Sequence, residues 1–238
     1  NSYQFWPILR NTLVISIYSI VVMFPLPILV ALICSQITSS RYKKFFQVTT
    51  YLPHFISTVV MCGMIMLFLS PSSGIIAKLL SFVGIDMPNL MGSASAFPHI
   101  YVWTEAWQHI GWDSILYIAA LSSIDPTLYE AATIDGANRW HRIIHITWPG
   151  ILPVVIITLI LRVGHMMDAG FDQIMNMYNS TVLDVGDILD TYIYRITFQR
   201  TPNFGFSTAV GLFKGLTNCI LLLSVNVVCK KISGTGIL

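Results

Sequence analysis

Five charged side chains sit inside otherwise apolar stretches of this sequence: Glu105, Asp113, Arg162, Asp168 and Lys214. A charge at the centre of a bilayer costs about 2.5–3.5 kcal/mol on insertion scales, so such residues are either paired or placed along a polar path. Glu105, Asp113, Arg162 and Asp168 are therefore candidates for lining the route of a hydrophilic cargo. Trp112 directly precedes Asp113, and together they offer an aromatic face beside a carboxylate, which suits the apolar faces and hydroxyls of a sugar. Each charge also has a purely structural reading, as an internal ion pair or as a position near a membrane face. Lys214 falls within Gly211-x-x-x-Gly215, a helix-packing pattern, and is read as an internal partner.

The elements that hold these residues are set by composition. Apolar residues make up 55% of the 238 and charged residues 10%, against about a quarter charged in soluble domains. Mean hydropathy is +0.70. These values predict an all-α, polytopic membrane bundle forming a single domain over 1–238. A span needs about 20 mostly apolar residues, which places five spans at about 11–38, 54–70, 97–121, 150–168 and 207–229. Trp103, Trp107 and Trp112 read as an interfacial aromatic belt and packing. A net charge of +2 supplies no basic field for nucleic acid.

Loop charge fixes the orientation. Arg41, Lys43 and Lys44, then Arg139 and Arg142, then Lys230 and Lys231 share one side if the spans alternate. The other side holds Lys78 and Asp86, and Arg195 and Arg200 against Asp172, Asp184, Asp187 and Asp190. Short Lys/Arg-rich loops are cytoplasmic, so 123–149 is expected inside, and 71–96 and 169–206 outside. Asn1 then lies outside, and with no signal-peptide pattern at Asn1-Ser2-Tyr3 a further span is expected ahead of this sequence.

The loop 123–149 has internal structure of its own. Asp125-Pro126 predicts a capped helix start with Pro in the first turn. Thr127 to Ile134 reads as one short helix, Asp135-Gly136 as a break where positive φ is tolerated, and Asn138 to Thr147 as a second short helix. Pro149 is expected to end that second helix and begin the fourth span. Ala131 and Ala132 are small enough for close approach to another surface. Glu130 offers a carboxylate for a charge-assisted bond to a partner arginine.

The run Glu130-Ala131-Ala132-Thr133-Ile134-Asp135-Gly136-Ala137, followed by Ile146-Thr147-Trp148-Pro149, closely resembles the EAA loop of permease subunits in binding-protein-dependent ABC importers. That pattern is Glu-Ala-Ala, three residues, Gly, nine residues, then Ile-x-Leu-Pro, and the spacing is kept here. Trp148 replaces the usual Leu and Ile143 a common Phe; both remain bulky and apolar. Segments such as Tyr51-Leu52-Pro53-His54, Gly111-Trp112-Asp113, Ala169-Gly170-Phe171-Asp172-Gln173 and Asp187 to Arg195 are similar to the sugar and oligosaccharide branch of that family, and the similarity covers nearly the whole chain.

The resemblance implies a type I importer fold and a carbohydrate cargo, with an oligosaccharide or polysaccharide fragment favoured, moved into the cytoplasm by alternating access. It implies a bacterial plasma-membrane location, a second homologous permease, an ATPase dimer and an extracytoplasmic sugar-binding protein. It also implies that this chain is not an enzyme and holds no cofactor, ATP and Mg being bound by the ATPase. Glu130, Ala131, Ala132, Asp135, Gly136, Ala137, Ile146 and Pro149 become ATPase-coupling residues, and Asp172 and Gln173 join the path candidates. Asp184, Asp187 and Asp190, spaced by three, predict an acidic stripe on an outer interfacial helix where a binding protein would dock; a merely solvated face is the alternative.

Other chemistries find little support. His141 and His145 have metal-ligand spacing but no third ligand nearby. Cys34, Cys62, Cys219 and Cys229 show no zinc spacing and read as free apolar thiols. No Gly-x-x-x-x-Gly-Lys-Ser/Thr phosphate loop occurs, so the chain is not itself the ATPase. An ion-coupled secondary transporter or channel remains the alternative, resting on Glu105 and Asp113, although two matching halves are lacking.

Overall fold

The computed structural model describes residues 5–199, 203–234 and 236; Arg200 and the first residues, Asn1-Ser2-Tyr3, lie outside them. Every regular element among the described residues is helical. The first run joins α1 (Phe5–Met23) to α2 (Pro25–Gln36). Pro25 and Pro27 fall in the first turn of α2, where a missing N–H costs least. Then come α3 (Ser40–Tyr51), a 3₁₀ turn at Leu52–Phe55, and α4 (Thr58–Phe68). The second apolar stretch is thus not one straight span from 54 to 70. The chain turns by 96° between Ser40–Phe55 and Thr58–Phe68, with Ile56 and Ser57 extended and the Ser57 hydroxyl capping α4 at the Val60 N–H.

After α5 (Ile75–Ser81) comes the longest central helix, α6 (Phe97–Ser122). It packs against α1, α2, α3 and α9 and carries both Glu105 and Asp113. The crossing with α3 is close: a Cβ on Gly111 would lie 2.0 Å from the Thr50 carbonyl oxygen. Two short helices follow, α7 (Pro126–Ile134) and α8 (Arg139–Arg142), then a π-helical turn at Ile143–Thr147 and α9 (Trp148–Gly164). The remaining helices are α10 (Phe171–Met177), α11 (Leu183–Gly186), α12 (Leu189–Tyr194) and α13 (Phe204–Ser233).

Among the described residues, Phe5–Gln36, Arg139–Gly164 and Phe204–Lys231 are long and apolar enough to cross a membrane, and the bent pair makes a fourth if it is one span. α6 is long enough at 26 residues but is diluted by its polar side chains. α9, in the expected fourth span 150–168, stops at Gly164. α13 leaves Leu212, Leu216, Ile220 and Val227 more than half exposed. Apolar side chains this exposed on a spanning helix belong against lipid or partner helices.

Candidate functional site

The charged residues of α6 and α9 meet on one cavity of about 760 Å³. Tyr101, Glu105, Trp112 and Asp113 recur on one stripe of α6, as the helical period requires, and all four line it. Arg162 of α9 donates from Nη1 to Asp113 Oδ2 at 3.3 Å. Its Nη2 lies 3.3 Å from Met23 Sδ at the end of α1. The Ser19 hydroxyl of α1 donates to Glu105 Oε2 at 3.2 Å. Trp112 stacks face to face on His54, with centroids 4.4 Å apart and planes within 6°, which fixes the indole beside the bend between α3 and α4. Tyr117 and Thr158 hydroxyls bond at 2.8 Å across α6 and α9.

Asp168 also lines the cavity, but it is engaged: Lys214 Nζ sits 2.6 Å from its Oδ1 and 2.5 Å from Asp190 Oδ1. Lys214 is thus the internal partner expected of it, and it ties α13 to α12 and to the turn after α9. Two path candidates fall elsewhere. Gln173 is buried behind the wall, where its Nε2 donates to the Tyr101 carbonyl at 3.0 Å and Thr104 Oγ1 at 2.8 Å. It fastens α10 to α6. Asp172 is exposed in the first turn of α10 and is not on the cavity wall. Ser16, Ser19, Tyr101 and Thr158 do line it; their signal in the sequence was only polarity at helical spacing within apolar runs.

The expected acidic stripe does not form. Asp187 has extended backbone, φ −76° and ψ 124°, and separates α11 from α12, so the three aspartates share no helix face. Asp187 is buried, bridged to Arg195 and to the Thr191 hydroxyl, which donates at 2.7 Å. Asp190 is held by Lys214. Asp184 alone of the three is exposed. The segment is strapped to α1 instead: Asn11 Nδ2 donates to the Asp184 carbonyl at 2.8 Å, and the Leu189 N–H donates to Thr12 Oγ1 at 3.0 Å.

The second site is the knob at 123–149. Asp125 Oδ1 accepts the Thr127 N–H at 2.9 Å and caps α7; that bond holds its carboxyl below the usual carboxylate range. Gly136 has φ +76°, and a Cβ added to it would meet nothing within 4 Å, so its role is backbone freedom rather than space. Asn138 Oδ1 accepts the His141 N–H at 2.9 Å and starts α8. Arg142 Nη1 donates to Thr133 Oγ1 at 3.2 Å, closing one short helix on the other. Glu130, Ala131, Asp135, Gly136 and Pro149 are exposed, while Ala132, Ala137 and Ile146 are half-buried. Ile134 is 87% exposed, an apolar residue at the tip of the knob.

The second short helix does not stop at Pro149. Helix runs without a break from Arg139 to Gly164, and Pro149 occupies the first turn of α9. The π turn accommodates it: its wider loop re-pairs carbonyls, and Thr147 Oγ1 donates to the Arg142 carbonyl five residues back at 3.3 Å. One helical rod therefore joins the knob to the cavity. Arg139 stands at one end and Arg162, about 35 Å away at a rise of 1.5 Å per residue, near the other.

Long apolar helices around a charged cavity, with an exposed two-helix knob at one end, define a membrane transport component. The sequence matches the family described as "Binding-protein-dependent transport system inner membrane component" over residues 12–233. The "Polygalacturonan/rhamnogalacturonan transport system permease protein YteP" of Bacillus subtilis (strain 168) is 36% identical over 233 residues, 98% of this chain and 72% of that protein. Protein LplB of the same strain is 36% identical over 234 residues, 98% of this chain and 73% of that one. A chain in the "Crystal structure of a bacterial ABC transporter involved in the import of the acidic polysaccharide alginate" is similar with a TM-score of 0.94 and 39% identity, over 98% of this chain and 81% of that chain. A second, from the alginate transporter "in complex with alginate pentasaccharide-bound periplasmic protein", gives 0.93 and 38%, over 100% and 82%. This chain belongs to the family of binding-protein-dependent transport system inner membrane components. It is a multi-pass permease subunit of the bacterial cytoplasmic membrane and a transport component rather than an enzyme.

Proposed function

We propose that this chain forms one half of the path through an ATP-driven importer of oligosaccharide or polysaccharide fragments. An external binding protein delivers the cargo, and alternating access of two homologous permease subunits moves it inward. The first run Phe5–Gln36, the α3–α4 pair, α6, the Arg139–Gly164 rod and α13 make five crossings. Residues 123–149 and the C-terminal lysines face the cytoplasm, and residues 71–96 and 169–206 face outward. An ATPase dimer, which holds the ATP and Mg, receives the knob through Glu130, Ala131 and the bend at Gly136. Cargo contacts on this subunit come from Glu105, Trp112, Asp113 and Arg162, with Asp168 at the outer edge. Of the three outer aspartates, Asp184 is the one free to meet a binding protein.

The observation that carries this reading is the continuous helix from Arg139 to Gly164, which has the knob at one end and the Arg162–Asp113 pair at the other. Closure of a partner on the knob would move a continuous helix whose far end borders the cavity. Relatives whose names concern polygalacturonan, rhamnogalacturonan and alginate support polysaccharide fragments as cargo. Co-purification tests the assembly: the tagged chain should bring down a second permease and an ATPase, and its isolation alone under conditions that preserve known importers would oppose the proposal. A carbohydrate binding screen of the cognate binding protein then identifies the sugar.

A further inference from the structure

A second cavity, of about 460 Å³, lies at the knob end of the bundle between α2, α3, α6 and α8. Its wall carries three cations, Lys43, Arg139 and Arg142, and no Asp or Glu. None of the three forms an ion pair among the described residues; Arg142 meets the Thr133 hydroxyl, which is neutral. Three of the wall hydroxyls are already committed. Ser35 and Ser122 donate to the carbonyls of Leu32 and Ile118 at 2.7 and 2.9 Å, and Thr147 donates to the Arg142 carbonyl. Beside the neutral Thr38 hydroxyl and Gln36 amide the wall presents three cations, and three cations without a carboxylate around one hollow attract an anion with several acceptor oxygens.

The level of the hollow identifies the source of that anion. Lys43 belongs to α3, a helix with no buried residue. Its Tyr42 and Phe45 are 73% and 71% exposed, alternating with Arg41, Lys43 and Lys44. Aromatic rings exposed among basic side chains in these first turns of α3 place the start of the α3–α4 crossing in the headgroup layer. Basic pockets between helices at that depth take phospholipid headgroups. We propose that this cavity binds the phosphate of an anionic membrane phospholipid, clamping α8 of the knob to α3. The lipid would then brace the same short helix from which the Arg139–Gly164 rod begins. The site depends only on Lys43, Arg139 and Arg142 and not on the cargo, so its failure would leave the importer reading intact.

Native mass spectrometry of the assembled transporter tests it, with phosphatidylglycerol and phosphatidylcholine as probes. Wild type should retain one more phosphatidylglycerol than the Lys43→Gln/Arg139→Gln/Arg142→Gln variant, with affinity for that molecule lower on the order of a hundredfold in the variant. The charge-conserving variant Lys43→Arg/Arg139→Lys/Arg142→Lys should keep it within about threefold, since it preserves the charge that dominates this attraction. Equal retention by wild type and the neutralised variant, or equal retention of phosphatidylcholine, would overturn the site. Should the neutralised variant fail to assemble, the lipid comparison and the charge-conserving variant still decide. Displacement of phosphatidylglycerol by millimolar inorganic phosphate would assign the hollow to free phosphate and overturn the lipid.

Discussion

Arg162 on α9 and Asp113 on α6 are joined at 3.3 Å across the cavity wall, and the same guanidinium rests 3.3 Å from Met23 Sδ. Three helices thus converge on one side chain. Removing either charge leaves its partner uncompensated in a site about 30% exposed. The penalty is smaller than the 3–5 kcal/mol of a fully buried pair, about 1–2 kcal/mol. Arg162→Met should lower the thermal midpoint of the purified transporter, and Arg162→Met/Asp113→Leu should recover most of that loss. A double variant no more stable than the sum of its singles would show that the pair is not energetically coupled.

Glu130 stands exposed on α7 with no salt-bridge partner among the described residues. Glu130→Ala should insert and fold normally but lower transport-linked ATP hydrolysis about tenfold, the scale of one charge-assisted bond. Uptake at the wild-type rate would refute its coupling role.

Gly136 separates two explanations that usually travel together. Its φ of +76° disfavours side chains, yet a Cβ there would touch nothing. Gly136→Val should therefore weaken ATPase assembly through backbone strain of about 1 kcal/mol or more. Gly136→Asn, which tolerates the left-handed region, should be milder. Binding of sugar by the separate binding protein is unaffected in both. If Val and Asn both matched wild type in assembly measured by size-exclusion chromatography, the bend would be dispensable.

The orientation can be read by single-cysteine labelling in intact cells after native cysteines are removed. Positions 136 and 184 are both exposed. An impermeant thiol reagent should label a cysteine at 184 and spare one at 136; the reverse pattern would invert the topology.

Much of the knob was legible because its signals are local. Asp125-Pro126 caps and starts a helix, Gly136 takes positive φ, and Asn138 restarts the chain, each through bonds within three residues. Glu105 and Asp113 stood out in the sequence as charges within an apolar run; that they share one face of α6 on the cavity was not read from it. What failed were inferences needing the local path of the backbone or distant partners. A spacing of three predicted one helix for Asp184, Asp187 and Asp190, but Asp187 turns extended so that its carboxylate can reach Arg195. Pro149 reads as a helix end until the π turn before it supplies alternative pairing. Gln173 reads as a path residue because nothing in sequence reveals the Tyr101 carbonyl and Thr104 hydroxyl awaiting its amide.

The most direct test of the importer reading is uptake into proteoliposomes containing this chain, its partner permease and the ATPase, with loaded binding protein outside and labelled oligosaccharide as cargo. Uptake should require both internal ATP and the binding protein, and should persist when ionophores collapse every ion gradient. Uptake that proceeds without ATP and stops on adding ionophore would contradict it and make the chain an ion-coupled transporter.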